Sequence, residues 1–211
     1  MLAEALHAEL YRVLVPFQDL TTTVYAVLRS EGVTLIDSAT YPEDVDAYIL
    51  PALAELGVLP SQVTTLALTH RHGDHAGGIA RLSACFPQAT VRAMAPIALD
   101  TYRPLTDGEQ LPGGLQALHL PGHTADSMGY FDTRTHTLLS GDCLQLRGVG
   151  RYRNGVSDPA QYVRSVERLR AMPIECIVAA HEYDPLGSIA RGRAAVLAYL
   201  DACIQAIQPN G

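Results

Sequence analysis

Short apolar runs separated by turn residues dominate the hydropathy pattern of this chain. Runs of three to eight residues that are rich in β-branched side chains and bounded by Gly, Pro, Asp or Ser predict β-strands. The predicted strands span 11–15, 21–28, 33–36, 63–69, 90–93, 115–120, 128–131, 137–139 and 174–180. The turn Ser30-Glu31-Gly32 lies between the second and third of these strands, which predicts a β-hairpin.

Apolar positions at helical spacing predict four helices, over 43–56, 75–85, 158–171 and 187–207, with a helical turn at 96–100. Pro51 should kink the first helix, and Pro159 suits the first helical position of the third. The segment before Tyr11 predicts a frayed or helical start. Because no linker or repeat divides the chain, this order of elements predicts packed sheets with helices outside, in a single domain of residues 1–211.

A dense polar cluster follows the predicted strand 63–69. Within six residues it places three imidazoles and one carboxylate, those of His70, His72, Asp74 and His75. Residues two apart in an extended segment project to the same side, and the turn at Gly73 brings the last two side chains back toward the first two. Neutral imidazole and carboxylate form the usual ligand set for zinc and related ions. The cluster therefore predicts a metal site.

Other predicted strands also end in a metal-ligand type of residue. His123 follows a Pro-Gly turn, Asp142 follows a glycine, and His181 follows an apolar run. Together with the cluster they supply seven potential ligands, enough for two metals that share one carboxylate. The remaining histidines lack this context, and we expect them to be structural or solvated: His7, His119 and His136.

Composition narrows the function further. The chain has 211 residues and a net charge of −7, which disfavours a nucleic-acid surface formed by overall charge. No apolar run reaches 18 residues, so we expect no membrane span or signal peptide, and four scattered cysteines fit a reducing cytoplasm. All 15 basic residues are Arg. This excludes a Schiff-base lysine and a Walker-type phosphate loop.

Four motifs occur in a fixed order: HRHGDH at 70–75, PGHT at 121–124, SGDC at 140–143 and AAH at 179–181. Over roughly residues 11–205 the chain resembles the metallo-β-lactamase-fold hydrolase superfamily. It is similar to the glyoxalase II-like, lactonase-like and phosphodiesterase branches. The resemblance implies an α+β fold, a four-layer αββα sandwich with metals at one edge of its two sheets.

The resemblance also implies how the ligands divide. One metal would take His70, His72 and His123, the second would take Asp74, His75 and His181, and Asp142 would bridge them. Zinc is the default metal, with iron and manganese as alternatives. His72 stands where the flavodiiron branch has Glu, and Asp142 stands where the best-known β-lactamases have Cys or Ser. The first difference argues against a diiron oxygen reductase, and the second argues against hydrolysis of β-lactam antibiotics.

The chemistry implied is metal-dependent hydrolysis. A hydroxide bridging the two cations would cleave an ester, thioester or lactone, and Asp74 would orient it or relay a proton. The alternatives are a phosphodiesterase on the same centre and a non-catalytic metal-containing protein that binds a ligand. Cys143 is expected to be a core thiol. Asp37 is either a partner that orients a ligand histidine or a capping carboxylate at a strand end.

Substrate recognition is predicted in the segment after Asp142. Arginine and tyrosine side chains there favour a small, anionic substrate, because guanidinium matches carboxylate and phosphate. A solvated loop is the equal alternative. The usual glycine after the last ligand histidine is Glu182 here, and both Glu182 and the tyrosine after it are candidates to line the pocket. The alternative is an ordinary turn that leads to the last helix. The substrate-binding candidates are Arg151, Tyr152, Arg153 and Tyr183.

Overall fold

The computed structural model describes residues 2–146, 158–182 and 187–207. Among these residues the strands form two sheets. The first sheet has seven strands in the order β1 to β7. Its strands β1 to β4 form an antiparallel meander, and β4 to β7 run parallel. The strands are β1 (Ala3–His7), β2 (Leu10–Phe17), β3 (Leu20–Arg29), β4 (Gly32–Ile36), β5 (Val63–Ala67), β6 (Thr90–Ala93) and β7 (Tyr102–Pro104).

The second sheet has six strands in the order β13-β12-β11-β10-β9-β8. Its neighbours are antiparallel except for β11 and β12, which run parallel. The parallel pair matters for the site, since parallel strands deliver their carboxyl ends to one edge of the sheet. The strands are β8 (Gln110–Leu111), β9 (Leu115–His119), β10 (Met128–Asp132), β11 (Thr137–Gly141), β12 (Cys176–Ala179) and β13 (Ile189–Arg191).

The α-helices lie on the outer faces of the sheets. Asp158 caps α5 by accepting a hydrogen bond from the backbone N–H of Gln161. The kink expected at Pro51 is present as a π-helical turn, Val45–Ile49, directly before α2. The helices are α1 (Pro42–Asp44), α2 (Leu50–Glu55), α3 (Gly73–Ala76), α4 (Ile79–Cys85), α5 (Pro159–Arg170) and α6 (Arg193–Ile207), with 3-10 turns at Pro60–Gln62 and Pro112–Gly114.

Three apolar layers hold the four structural layers together. The central one lies between the sheets and contains Tyr25, Ile36, Tyr130 and Val178. A second packs the first sheet against α2 and α4, and a third packs the second sheet against α5 and α6. The arrangement is helix, sheet, sheet, helix, which confirms the αββα sandwich.

Two buried tyrosines tie the sheets together close to the predicted ligands. The hydroxyl of Tyr25 on β3 donates to the carbonyl of Val178 on β12, at 3.1 Å. The hydroxyl of Tyr130 on β10 donates to the carbonyl of Leu68, just after β5, at 2.6 Å. Each bond crosses the core and ends within three residues of a predicted ligand histidine, so the facing sheet fixes the strand ends that carry them.

Three local predictions were wrong. The start of the chain is the strand β1, because pairing with β2 overrides the helical preference of its Ala, Glu and Leu residues. The helix predicted from Gly187 begins only at Arg193, since Ile189–Arg191 pairs with β12. The segment 96–100 forms bends and a turn rather than a helical turn. Five residues carry too little hydrophobic periodicity to distinguish a helical turn from bends.

Candidate metal centre

The ends of β5, β9, β11 and β12 meet at one edge of the sandwich. His70 and His72 lie in the loop that leaves β5, and α3 carries Asp74 and His75. The other three predicted ligands lie just beyond strands of the second sheet: His123, Asp142 and His181. The structure thus brings all seven residues together.

A first cluster consists of three imidazoles. Nε2 of His70 lies 3.0 Å from Nδ1 of His72 and 3.2 Å from Nε2 of His123, and the last two atoms are 2.9 Å apart. Nitrogens in a tetrahedral zinc site, with bonds of about 2.0–2.1 Å, lie roughly 3.3 Å from one another. The triangle of ring nitrogens therefore fits a zinc-sized cation.

A second cluster combines one carboxylate with two imidazoles. Oδ2 of Asp74 lies 3.4 Å from Nε2 of His75 and 3.4 Å from Nε2 of His181. His75 is fully buried, and His181 is 6% exposed. The same three residues converge within 4.8 Å of one another through one potential ligand atom each.

Asp142 lies between the two clusters. Its Oδ1 is 3.4 Å from Nε2 of His75 and 3.2 Å from Nε2 of His181, and its Oδ2 is 3.5 Å from Nε2 of His123. One oxygen thus faces the second cluster while the other faces the first. This is the arrangement that a shared carboxylate requires.

Hydrogen bonds on the far side of three rings fix which nitrogen faces the clusters. Nδ1 of His75 donates to Asp37 at 2.7 Å, and Nδ1 of His181 donates to the carbonyl of Thr21 at 2.8 Å. Nδ1 of His70 lies 3.0 Å from the hydroxyl of Thr69. A ring that donates through Nδ1 keeps a lone pair on Nε2, which is the state of a metal-ligating imidazole.

Asp37 supports one imidazole in each cluster. It is 1% exposed, and besides His75 it accepts from the backbone N–H of Thr69 at 2.8 Å and from the Thr69 hydroxyl at 2.9 Å. The single hydroxyl proton of Thr69 therefore goes to Asp37, which leaves that oxygen to accept from His70. One carboxylate thus orients a ring in each cluster, which decides between the two roles expected for Asp37.

Charge is distributed unequally between the clusters. Burial lowers the pKa of His70 well below its usual value, and it also lowers the pKa of His72, so these rings are neutral at pH 7. Burial opposes charge on His75 and His181 too, but Asp142 and the other nearby carboxylates outweigh it and raise both pKa values, that of His181 to about 10. Protons on the second cluster thus balance its carboxylates, and a cation would replace them.

Two buried polar atoms support the fit to a metal. Nε2 of His75 and Oδ1 of Asp142 are buried and have no hydrogen-bond partner among the described residues. Their separation of 3.4 Å lacks hydrogen-bond geometry, so the attraction between them is electrostatic only. Leaving such atoms unsatisfied is costly in a folded protein. Both atoms point toward the position that a cation would take in the second cluster.

Residues with no motif of their own support the centre. Gln145 is 7% exposed, and its amide lies 3.1 Å from Oδ2 of Asp142 and 3.1 Å from Nδ1 of His123. The hydroxyl of Tyr162 holds Gln145 in turn, by accepting from its backbone N–H at 2.8 Å. Thr69 could have been suspected as a polar residue at a buried strand end, whereas a lone Gln three residues after Asp142 gives no signal.

The other predictions for individual residues have mixed outcomes. Cys143 is buried in the core against α5 and α6, as expected. The three other histidines lie outside both clusters, and His119 bonds instead to the carbonyl of Ala125 at 2.8 Å. The substrate-binding candidates all lie outside the described residues: Arg151, Tyr152, Arg153 and Tyr183.

Comparison with known proteins agrees with this geometry. Residues 18–95 and 96–181 match the sequence profile of the metallo-beta-lactamase superfamily. The chain belongs to this superfamily. Membership implies a divalent-metal centre, and the two His/Asp clusters are where the described residues could hold it.

A relative within the superfamily is the hydroxyacylglutathione hydrolase of Aeromonas hydrophila, which is 36% identical over 140 residues, covering 63% of this chain and 53% of the relative. The chain thus spans about half the length of the curated hydrolases that it matches. A metallo-beta-lactamase family protein of Thermus thermophilus has a similar structure, with a TM-score of 0.72 and 23% identity over 93% of this chain and 80% of that one. A B3 metallo-beta-lactamase with an active-site glutamic acid also has a TM-score of 0.72, with 25% identity over 98% of this chain and 88% of the other.

The helices of the described segments are all too short or too polar to cross a membrane.

Proposed function

We propose that this protein is a dinuclear metal-dependent hydrolase that cleaves an ester, thioester or lactone. The observation that carries the proposal is the position of Asp142, with one oxygen toward each of two clusters that each suit a cation. A structural zinc site has four protein ligands of its own, whereas these two clusters share Asp142, so that seven ligands serve two ions. Zinc is the first metal to test, followed by iron and manganese.

The residues divide the work as follows. His70, His72 and His123 hold one ion, Asp74, His75 and His181 hold the other, and Asp142 contributes to both. Ions held by these residues would supply the Lewis acidity that activates a water and polarises the scissile carbonyl. Asp37, through Thr69 and His75, keeps a ring of each cluster in its ligating tautomer. Asp74 is 14% exposed at its side chain, and it is placed to orient the attacking water or carry its proton.

The substrate class rests on the relatives. The Aeromonas protein that shares 36% identity is named a hydroxyacylglutathione hydrolase, and that name describes thioester cleavage. We extend only the acyl chemistry to this chain and propose a small acyl substrate. An anionic group on it, met by Arg151 and Arg153, remains a prediction from sequence. The cytoplasm remains the proposed location.

The test is a substrate panel run on protein loaded with zinc, manganese or iron. It contains a p-nitrophenyl ester, a thioester, a lactone and bis(p-nitrophenyl) phosphate, each with and without a chelator. We expect turnover of at least one acyl substrate that a chelator abolishes and added metal restores. His123→Asn should lose this turnover, while the matched variant His119→Asn, whose ring lies outside both clusters, should keep it.

Other outcomes would separate the alternatives. Cleavage of the phosphodiester alone would replace the proposal with a phosphodiesterase. Two bound ions with no turnover of any substrate would favour a non-catalytic ligand-binding protein. A protein that binds no metal, whatever ion is offered, would contradict the dinuclear hydrolase itself.

A further inference from the structure

The residue that directly follows His181 is Glu182, and the structure gives its carboxylate two partners. Glu182 is half exposed, but its Oε1 accepts from the hydroxyl of Ser188 at 2.5 Å and lies 3.3 Å from Nη1 of Arg12. The carboxylate of Glu182 is therefore held by Ser188 and Arg12, although half of its side chain faces solvent.

Arg12 is the buried centre of this contact. Only 8% of its side chain is exposed, and its Nη1 donates to Oγ of Ser188 at 2.7 Å while its Nε donates to Glu4 at 2.8 Å. Because the Ser188 oxygen accepts from Arg12, its single proton is free to go to Glu182. Arg12, Ser188 and Glu182 thus form one relay of charge-assisted hydrogen bonds. We call these three residues the Arg12 clasp.

The Arg12 clasp joins the two sheets beside the second cluster. Arg12 lies on β2 of the first sheet, whereas Glu182 follows β12 and Ser188 precedes β13 of the second sheet. The backbone N–H of Ala179 also donates to the carbonyl of Ser188 at 2.7 Å. The clasp therefore holds both flanks of the β12–β13 connection, and His181 lies on one of them.

The first sheet also sets the direction of the His181 ring. The carbonyl of Thr21 on β3 accepts from Nδ1 of His181 at 2.8 Å, and the ring of Phe17 on β2 stacks on it with centroids 6.3 Å apart. The backbone of His181, however, belongs to the second sheet. Its ring can meet these two contacts only while the β12–β13 connection stays against β2 and β3, and the clasp makes that contact.

We propose that Arg12 is a positioning residue for His181, acting through Ser188 and Glu182, and that it sets the affinity of the second cluster for its metal. The inference rests on the proposed function, because it takes the second cluster as a metal site. Ligand atoms must be held within about 0.5 Å of their productive positions. Loss of a supporting contact of this kind typically lowers metal affinity by about 10- to 100-fold.

The test compares Arg12→Met with Arg92→Met in zinc titrations against a chromophoric chelator. Arg92 is a matched control, since it also joins the first sheet to a partly buried glutamate, Glu109, while its described contacts include no residue of either cluster. We expect Arg12→Met to lower the zinc affinity of the second cluster by about tenfold or more and to leave the affinity of the first cluster unchanged. Arg92→Met should change neither.

A second variant and a second readout guard against misfolding. Ser188→Ala breaks the relay with a small change of volume and should lower the zinc affinity of the second cluster alone. Arg12→Lys keeps the positive charge and should retain more of this affinity than Arg12→Met. In metal-free protein, NMR should show a slowly exchanging Nδ1–H signal of His181, identified by its absence in His181→Asn. Ser188→Ala should speed its exchange with solvent.

The inference is overturned if both variants bind the two ions as tightly as the unaltered chain, or if both ions weaken equally. It is also overturned if the His181 signal exchanges at the same rate in Ser188→Ala. These readouts do not need turnover. A chain that binds two ions but hydrolyses nothing would contradict the proposed hydrolase without affecting the role of the Arg12 clasp. An inactive Arg12→Met with normal metal affinity would contradict the role of the Arg12 clasp without affecting the proposed hydrolase.

Discussion

The two ends of the sandwich handle buried charge in opposite ways. At the end away from the clusters, Arg29 on β3 and Asp132 on β10 face each other across the sheets at 2.6 Å, and both side chains are almost fully buried. Asp132 also accepts from the hydroxyl of Thr135 at 2.9 Å. At the other end, Asp142 is also buried but faces imidazoles at 3.2–3.5 Å, and its Oδ1 has no hydrogen-bond partner in the described segments.

This difference separates a structural charge from a functional one. The Arg29–Asp132 pair has its partners within the chain, so its contribution is to the joining of the sheets. The carboxylate of Asp142 is supported from behind by Gln145 yet left without a full set of partners in front. A buried anion of this kind costs stability unless a cation completes it. Substitution of Asp142 should therefore lower activity, whereas substitution of Asp132 should lower the free energy of unfolding.

The largest effect is expected for Asp142→Ala. Two cations contribute several kcal/mol of transition-state stabilisation, and about 1.4 kcal/mol corresponds to tenfold in rate, so kcat/KM should fall by roughly a thousandfold or more. The metal-free variant should unfold at the same denaturant concentration as the unaltered protein or a higher one. A metal-free variant that is clearly less stable would mean that Asp142 is a structural residue like Asp132.

Asp132→Ala should give the opposite result. It removes the fully buried carboxylate that faces Nη2 of Arg29 and leaves the guanidinium only the half-exposed Glu9, 3.0 Å from Nη1. Breaking a buried ion pair typically destabilises a protein by about 3–5 kcal/mol. The affinity for both metals should remain unchanged, because Asp132 lies at the far end of the sandwich. The double variant Arg29→Met with Asp132→Leu removes both charges and should recover much of the stability, as measured by urea unfolding. No recovery would contradict the assignment of the loss to an unpaired charge.

Gly141→Ala should have a smaller effect, and it should lower both the free energy of unfolding and the affinity for metal. Gly141 has a φ of +51°, and an added Cβ would lie 2.6 Å from Cβ of Thr69. Strain and overpacking of this kind cost about 1–3 kcal/mol. Because Gly141 precedes Asp142 and Thr69 contacts His70, we also expect weaker metal binding.

Gly57→Ala is the matched control for this variant. Gly57 also has a positive φ, +70°, but nothing lies within 4 Å of an added Cβ. The free energy of unfolding of Gly57→Ala should fall only by the cost of the backbone conformation, about 1–2 kcal/mol, and the variant should bind metal normally. Equal metal affinity in the two variants would show that the contact between Gly141 and Thr69 does not help to place the ligands.

Sequence patterns predicted the parts of the site that depend on strand ends. His70, His123 and Asp142 each follow an apolar run directly or after a short turn, and this local pattern is enough to place them at a sheet edge. The αββα arrangement came from the order of four motifs rather than from hydropathy. The short strand β13 was missed because its pairing with β12 depends on the tertiary structure.

The supporting contacts could not be predicted in the same way. Arg12 and Glu182 are 170 residues apart in sequence, and they meet only because two different sheets face each other. The position of Gln145 likewise depends on a residue of another element, Tyr162 on α5, whose hydroxyl accepts from its backbone N–H. A polar side chain whose partner lies on another sheet leaves no periodic signal along the chain. Supporting residues of this kind therefore become visible only in the folded structure.

The central claim is that Asp142 is shared by two metal sites, and metal stoichiometry tests it most directly. Metal-free protein should be titrated with zinc, and the bound metal should be measured by mass spectrometry after removal of the free ion. We expect two ions per chain for the unaltered protein, and a single remaining ion in His123→Asn, which removes a ligand of the first cluster only. Saturation of the unaltered chain at one ion, or no saturable binding, would contradict the shared centre.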